Sequence, residues 1–461
     1  MTQTPILVLL LLALSSAAFY VGRKRAFQVA GGKIRNLHSL PGYYGLYVAL
    51  WAGLPALLML GLWLSMEGSI ITQMVIANLP ADIQQLHPDK LNLVVNDIRN
   101  MVAGNIVSGE PDAAMLAAVD HYRSLQSISK WALLGVALAV AGIAGWLAFS
   151  RISPHYRARN GVERIVMYLL IACSLIAILT TVGIVLSVLF ESIRFFSAVP
   201  VYEFLFGLDW SPQIAMRADQ AGSSGAFGAV PLFAGTMLIT LIAMLIAVPI
   251  GLMSAFYLAE YASRRVRAIA KPLLEVLAGI PTVVYGFFAA LTVAPFIRDS
   301  GSFLGLDVAS ESALAAGLVM GVMIIPFVSS LSDDVINAVP QSLRDGAYGM
   351  GATRSETIRQ VIFPAALPGI VGAILLAVSR AIGETMIVVM AAGLAANLTA
   401  NPLEAVTTVT VQIVTLLVGD QEFDSPKTLA AFALGLMLFL VTLALNAFAL
   451  HIVRKYREQY D

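Results

Sequence analysis

The chain has 461 residues, of which 59% are hydrophobic and only 12% are charged. Soluble domains carry about 25% charged residues, so this composition excludes an ordinary water-soluble enzyme and favours a protein that crosses a membrane several times. The 28 Lys and Arg residues balance the 28 Asp and Glu residues, which removes any charge-based case for nucleic-acid binding. Cys173 is the only cysteine, so the sequence offers no intrachain disulfide and no cysteine-based metal site.

Nine apolar runs are long enough to cross a bilayer, because a membrane-spanning helix needs about 20 mostly apolar residues. The runs are residues 4–22, 43–65, 131–150, 165–190, 232–258, 272–297, 312–332, 366–392 and 428–453. The first run is followed, not preceded, by its basic residues, which is the reverse of a secretion signal, so we expect a retained helix. The pattern predicts an all-α, polytopic membrane protein.

The basic residues predict how the chain is oriented, because Lys and Arg collect in the cytoplasmic segments of membrane proteins. With the N-terminus outside, 19 of the 28 basic residues lie in inside segments and 8 in outside segments. We therefore expect an outside N-terminus and a C-terminus in the cytoplasm.

The apolar runs divide the chain near residue 151. Residues 1–150 hold three predicted spans and an outside loop whose helical periodicity predicts a small helical cap. Residues 151–231 hold the first helix of a second group and another outside loop, and residues 232–453 hold the other five spans. A patterned inside loop occupies residues 337–364 of this last part.

Arg380 is the one basic residue inside a predicted span. A charge at mid-membrane costs roughly 2.5–3.5 kcal/mol on insertion scales, so such a residue normally faces a cavity or a partner charge. Glu384 follows four residues later, which predicts that both side chains share one helix face. Two interpretations stay open: a structural ion pair between helices, or a charged element of a transport path. The planar guanidinium group suits an oxyanion.

The inside loop reads as two short helices joined by a glycine bend. Pro340 is placed to open the first helix, and Gly349 and Gly351 interrupt it. Residues Thr353 to Glu356 read T-x-x-E, the capping box of a second helix. Pro364 and Pro368 are expected to end that helix before the next span. An ordinary amphipathic connector is the alternative interpretation.

The same loop resembles the coupling loop of ABC importer permeases, which reads E-A-A, three residues, G, nine residues and I-x-L-P. Here Asp345-Gly346-Ala347 stands in place of E-A-A, with Asp for Glu and Gly for the first Ala. Gly351 follows after three residues, and Val361-Ile-Phe-Pro364 follows after nine more, with Val and Phe for Ile and Leu. The resemblance implies that the loop docks on a separate ATPase subunit. The residues expected to serve this coupling are Asp345, Gly346, Ala347, Gly351, Glu356 and Pro364.

Residues 160–461 more broadly resemble phosphate-importer permeases of the PstC type. The segments that carry this resemblance are residues 227–236, 246–251, Tyr257–Tyr261, 275–287 and Ser379–Met386. The resemblance implies a type I ABC importer permease core of six helices, here preceded by three extra transmembrane helices. It implies a multi-pass protein of the bacterial inner membrane with a periplasmic N-terminus. It also implies a substrate path that includes Ser379, Arg380, Glu384 and Thr385.

The resemblance further implies the partners: a second permease of the PstA type, an ATPase dimer, a periplasmic phosphate-binding protein and membrane lipid. The sequence has no G-x-x-x-x-G-K-[ST] motif, so we expect a non-catalytic subunit without a cofactor, whose partner uses ATP and magnesium.

Sulfate and molybdate permeases share Arg-x-x-Gly-Glu but typically continue with Phe-Gly, where this chain has Thr385-Met386. Another oxyanion importer stays open as an alternative. An ion-gradient-driven transporter is a more distant one, since no internal repeat is apparent.

Overall fold

The computed structural model describes residues 3–84, 87–105, 113–214, 224–418 and 425–456. The helices before residue 230 are α1 (Gln3–Val29), α2 (Pro41–Ala77), α3 (Ala81–Gln84), α4 (Pro88–Ala103), α5 (Ala113–Ser150), α6 (Ala158–Ala198) and α7 (Val201–Phe206). Two strands follow, β1 (Trp210–Ile214) and β2 (Ser224–Phe227). The later helices are α8 (Val230–Phe256), α9 (Arg264–Ala278), α10 (Thr282–Phe288), α11 (Ala294–Phe303), α12 (Ala313–Ala338), α13 (Gln341–Gly349), α14 (Arg354–Thr357), α15 (Phe363–Ile382), α16 (Met386–Ala391), α17 (Val409–Leu417) and α18 (Pro426–Tyr456). A 3₁₀ turn occupies Ile34–Asn36, and π-helical turns occupy Tyr257–Tyr261, Ala289–Val293 and Ile358–Ile362.

Within the described residues, nine helical segments are long and apolar enough to cross a membrane. Each overlaps one of the nine predicted runs, so the predicted all-α polytopic class is confirmed. Part of the predicted outside cap, residues 106–112, and the C-terminal residues 457–461 lie outside the described residues.

Two predicted spans are interrupted inside the predicted run. The run 272–297 is not one helix, because α9 ends at Ala278 and α10 begins only at Thr282. Gly279 and Pro281 lie in the break, where proline cannot supply the amide donor that a continuous helix needs. The run 366–392 is also divided: α15 ends at Ile382 and α16 starts at Met386.

The prediction that Pro364 and Pro368 end the second helix of the inside loop was wrong. The helical segment runs without a break from Arg354 to Ile382. The π-helical turn Ile358–Ile362 widens the backbone immediately before Pro364 and shifts the hydrogen-bond register. This shift accommodates a residue that has no amide proton, and Pro368 lies inside α15.

The chain forms two compact units, Met1–Leu179 and Thr180–Asp461. In the first unit, α1, α2 and α5 pack along one another, with Leu11, Ala56 and Ala137 among their buried residues. The helices α1 and α2 approach closely at Gly45, where a Cβ would lie 2.6 Å from the carbonyl oxygen of Phe19. The C-terminal end of α2 and the N-terminal end of α5 share a further apolar cluster with α4.

In the second unit, α8 and α12 make the most extensive helix pair. Gly317 and Gly321 of α12 form a G-x-x-x-G pattern, which lets two membrane helices approach closely. A Cβ on Gly317 would lie 2.6 Å from Ile242 of α8, so the small residue is required by the packing. The core continues through α15 and α16. This packing positions the C-terminal half of α12 beside α9 and α15.

One feature of the second unit was absent from the prediction, the antiparallel pair β1–β2. Trp210 of β1 lies opposite Phe227 of β2, and its indole Nε1 donates to Gln412 Oε1 at 3.0 Å. Both Trp210 and Gln412 are buried, so this pair anchors β1 on α17. Strands this short leave no clear alternation in the sequence.

Candidate functional site

Arg380 lies near the C-terminal end of α15, where it lines a cavity of about 290 Å³. Its guanidinium carbon lies 5.7 Å from the centre of the Phe327 ring of α12, a cation–π contact that fixes the side chain from one side. Ser329 and Ser330 of α12 and Lys271 of α9 line the same cavity. Within the described residues, no ion pair joins Arg380 to a carboxylate. The carboxylates of Glu275 and Asp333 line this cavity too, and Asp333 pairs with Lys271 at 2.9 Å. Arg380 and the two serine hydroxyl groups are therefore what the site offers to an anion.

The predicted pairing of Arg380 with Glu384 on one helix face was wrong. Because α15 ends at Ile382, Glu384 lies beyond the helix that carries Arg380. The Glu384 carboxylate instead accepts the backbone N–H of Met386 at 3.1 Å, at the beginning of α16. The backbone oxygen of Glu384 accepts the Thr410 hydroxyl at 2.8 Å, which ties the break between α15 and α16 to α17.

The other two residues of the predicted path lie on either side of this break. Ser379 is half-buried in the last turn of α15, and its carbonyl oxygen accepts the N–H of Gly383 at 3.3 Å. Thr385 precedes α16, and its hydroxyl donates to the Gly383 oxygen at 3.4 Å. The structure therefore brings all four predicted residues to one interrupted helix, with Arg380 as the one that lines the cavity.

A buried carboxylate in the wall of this cavity was not predicted from the sequence as functional. Asp333 is 2% exposed and accepts two hydrogen bonds from Arg267, at 3.0 and 2.9 Å. It also accepts Lys271 Nζ at 2.9 Å and the Asn337 amide at 2.9 Å. The hydrogen bond from Lys271 to Asp333 is the main reason why the pKa of Lys271 is raised. Because the pKa is raised, the contribution of this interaction to stability declines only as the pH rises through the folded-state pKa of Lys271.

The inside loop has the predicted two-helix form. Gln341–Gly349 forms α13, and Gly351 adopts a left-handed backbone with φ of +86° at the bend. The capping box is confirmed: the Thr353 N–H donates to Glu356 Oε2 at 2.8 Å, and the Glu356 N–H donates to Thr353 Oγ1 at 3.4 Å.

The bend of the loop presents both charge and apolar surface. Asp345, Gly346 and Pro364 are exposed and Ala347 is half-buried. Met350 at the tip is 89% exposed, so the bend presents a large apolar side chain near the exposed Asp345 carboxylate. The six residues predicted for coupling thus lie on one continuous segment, apart from the Arg380 cavity.

A second buried pair holds this loop, and sequence reasoning missed it. Arg344 of α13 is 8% exposed and donates to Glu260 Oε1 at 3.2 and 3.1 Å. It also donates to the carbonyl oxygens of Ile336 and Val339 at the end of α12. The sequence signal was limited to the presence of Glu260 in the segment that resembles phosphate permeases. Nothing in the spacing pairs it with a residue 84 positions later.

The apolar helices, the cationic cavity and the inside loop define a membrane-embedded transport subunit. Residues 8–180 match the family described as phosphate ATP-binding cassette transporter, and residues 247–458 match the family described as binding-protein-dependent transport system inner membrane component. Among the described residues, no group of three His, Cys, Asp or Glu side chains is placed to hold a metal ion.

Similar proteins carry related names. The probable ABC transporter permease protein YqgH of Bacillus subtilis strain 168 is 34% identical over 276 residues, which cover 59% of this chain and 84% of that protein. The phosphate transport system permease protein PstC of Mesorhizobium japonicum is 31% identical over 273 residues, covering 55% of this chain and 79% of that protein. Among solved structures, an inward-facing MetNI methionine ABC transporter aligns with a TM-score of 0.38 and 18% identity over 50% of this chain and 95% of that chain.

The chain therefore belongs to the PstC-type family of ABC importer permeases, the non-catalytic membrane subunits of these transporters. As an ABC importer permease it acts together with an ATPase that uses ATP and with a substrate-binding protein. The resemblance inferred from the sequence is confirmed.

Proposed function

We propose that this chain forms, with a second permease of the PstA type, the path by which inorganic phosphate enters the cell. The observation that carries the proposal is the position of Arg380, a membrane-embedded cation that lines a cavity beside Ser329 and Ser330. A guanidinium group donates paired hydrogen bonds to a phosphate, and hydroxyl groups can complete its coordination. The names of the PstC relatives support the choice of phosphate among oxyanions.

Glu384, Thr385 and Ser379 complete the proposed path by shaping the interruption after α15. Helix breaks at membrane depth are tolerated where they line a cavity or are held by neighbouring protein. Glu384 holds the start of α16 through the Met386 N–H, so the break keeps a defined geometry next to Arg380.

We propose further that the loop 337–364 docks on one subunit of an ATPase dimer, which uses ATP and magnesium. The exposed Asp345 and Met350 support this role, because they offer a charge and an apolar anchor on one short segment.

In this proposal residues 232–453 are the permease core, residues 151–231 supply its first helix, and residues 1–150 are an added membrane module. The N-terminus is periplasmic, where a phosphate-binding protein delivers the substrate, and the C-terminus is cytoplasmic.

The test is ATP-driven uptake of labelled phosphate into vesicles that carry the chain with its permease, ATPase and binding-protein partners. For Arg380→Gln we expect uptake to fall by about 100-fold, because hydrogen bonds to a charged group contribute about 1.5–3 kcal/mol. Arg298→Gln is the matched control, since Arg298 is exposed and pairs locally with Asp299 at 3.2 Å. Sulfate and molybdate serve as competitors.

Phosphate uptake that ignores both competitors and fails only in Arg380→Gln supports the proposal. Normal uptake by that variant would contradict the path role of Arg380. Competition by sulfate or molybdate would move the substrate to another oxyanion and leave the permease assignment intact.

A further inference from the structure

A second cavity, of about 420 Å³, lies within the first unit between α1, α2 and α5. Its walls are mainly leucine side chains: Leu7, Leu10, Leu64, Leu133 and Leu134. No residue of the Arg380 cavity lines it. A wall of this composition accepts hydrocarbon chains.

The polar residues of this cavity gather at one level of the membrane. Thr4 begins the first predicted span, Glu67 lies just after the second, and Lys130 lies just before the third. Trp131, which is 70% exposed, stands beside Lys130 at the same level. Tryptophan favours the boundary between lipid headgroups and hydrocarbon. The charged end of the cavity therefore lies at headgroup depth, and its leucine walls extend from there into the hydrocarbon region.

The carboxylate of Glu67 is held in place by a chain of hydrogen bonds. The Trp63 indole Nε1 donates to Ser129 Oγ at 3.0 Å, and this hydroxyl donates to Glu67 Oε1 at 2.7 Å. Ser129 immediately precedes Lys130 on α5, so one short segment positions both charged groups. In the part of the chain that the structure describes, neither Glu67 nor Lys130 takes part in an ion pair. Two opposite charges thus line one cavity without neutralising each other.

We infer that this cavity binds a phospholipid with a primary amine in its headgroup. The ammonium group donates hydrogen bonds to Glu67, the phosphate pairs with Lys130, and an acyl chain lies along the leucine walls. A zwitterion with separated charges matches the separated carboxylate and ammonium groups of the protein. An anionic headgroup without an amine places no positive charge at Glu67, and a choline headgroup has no N–H to donate to it.

The test is native mass spectrometry of the full chain in detergent, with equal amounts of dioleoyl phosphatidylethanolamine, phosphatidylglycerol and phosphatidylcholine. We expect the wild type to retain phosphatidylethanolamine in preference to both other lipids. Glu67→Gln is expected to lower this preference about ten-fold, which corresponds to the loss of about one charge-assisted hydrogen bond. Asp120→Asn is the matched control, because it removes an exposed carboxylate of α5 that does not line the cavity.

Equal retention of the three lipids by the wild type, or an unchanged preference in Glu67→Gln, would overturn the inference. If Glu67→Gln fails to elute as a folded protein, the lipid site is tested with Lys130→Gln instead. Lys130 is exposed, so its replacement leaves the packing intact. That variant is expected to retain less phosphatidylethanolamine than the wild type, and equal retention would contradict the site.

Discussion

At the scale of single residues, Asp333 shows how the second unit compensates a buried charge. We predict that Asp333→Asn destabilises the fold by about 1–3 kcal/mol, because it leaves the Arg267 and Lys271 cations without their shared carboxylate. This destabilisation is smaller than the one expected when a fully buried ion pair is broken, since both cations are about one-third exposed. Thermal unfolding of the purified chain in detergent measures the effect.

The neighbouring residue supplies the control. Asp334 is 66% exposed, and among the described residues its ion-pair partner is Lys271 alone, at 3.7 Å. Asp334→Asn is therefore expected to leave the unfolding temperature nearly unchanged. Equal effects of the two substitutions would show that position 333 has no special role.

Single residues also show where sequence reasoning reaches its limit. Arg380 could be selected from the sequence, because a lone charge in an apolar run is costly and therefore informative. The capping box at Thr353 could be predicted because it depends on residues three positions apart. The pairing of Arg344 with Glu260 could not, since it depends on how α13 folds back against the turn after α8.

At the scale of elements, the Arg344–Glu260 pair joins α13 to the π-helical turn Tyr257–Tyr261. We predict that Glu260→Gln lowers phosphate uptake per ATP hydrolysed, because movement of α13 is then transmitted less well to α8. Arg344→Gln is expected to lower the uptake per ATP hydrolysed as well. The double variant should lose less uptake per ATP than the two single variants lose together, since each single change already breaks the pair. Uptake and ATP hydrolysis are measured in the same vesicles. Strictly additive effects, or a normal ratio in Glu260→Gln, would contradict this link.

The glycine bend gives a prediction about the backbone alone. A Cβ at Gly351 meets no atom within 4 Å, but φ is +86°, so Gly351→Ala costs about 1–2 kcal/mol through its left-handed conformation. We expect a lower unfolding temperature and weaker uptake. Gly349→Ala is the control, because Gly349 also has open space around it but belongs to α13. If Gly349→Ala lowered the unfolding temperature and the uptake as much as Gly351→Ala, backbone strain at position 351 would not explain the effect.

The nine membrane helices found among the described residues were predictable because each needs a long apolar run, and length and hydropathy alone report it. Their interruptions were less predictable. The break around Gly279 and Pro281 follows residues that interrupt helices, yet Pro249, Pro326 and Pro368 lie inside continuous helices. Whether a proline breaks a membrane helix depends on the neighbours that satisfy its freed carbonyl, and those neighbours are set by the tertiary fold.

At the scale of the whole molecule, the distribution of basic residues fixes the expected orientation. Residues 259–271 hold four Lys and Arg residues and residues 333–365 hold three, whereas residues 298–311 contain only Arg298. This asymmetry predicts that α13 faces the cytoplasm and that the segment before α12 faces the periplasm. Both segments have exposed positions, Ser342 in the first and Asp307 in the second.

Cys173 is the single native cysteine, so Cys173→Ser gives a background without thiols in which one cysteine can be introduced at a time. We predict that Asp307→Cys reacts with a charged, membrane-impermeant maleimide in intact spheroplasts. Ser342→Cys should react only after permeabilisation, and the chain is produced without the ATPase so that the loop is uncovered. The reverse pattern would place the coupling loop on the side of the membrane that has no ATP, and would therefore refute both the orientation and the docking of the loop on an ATPase.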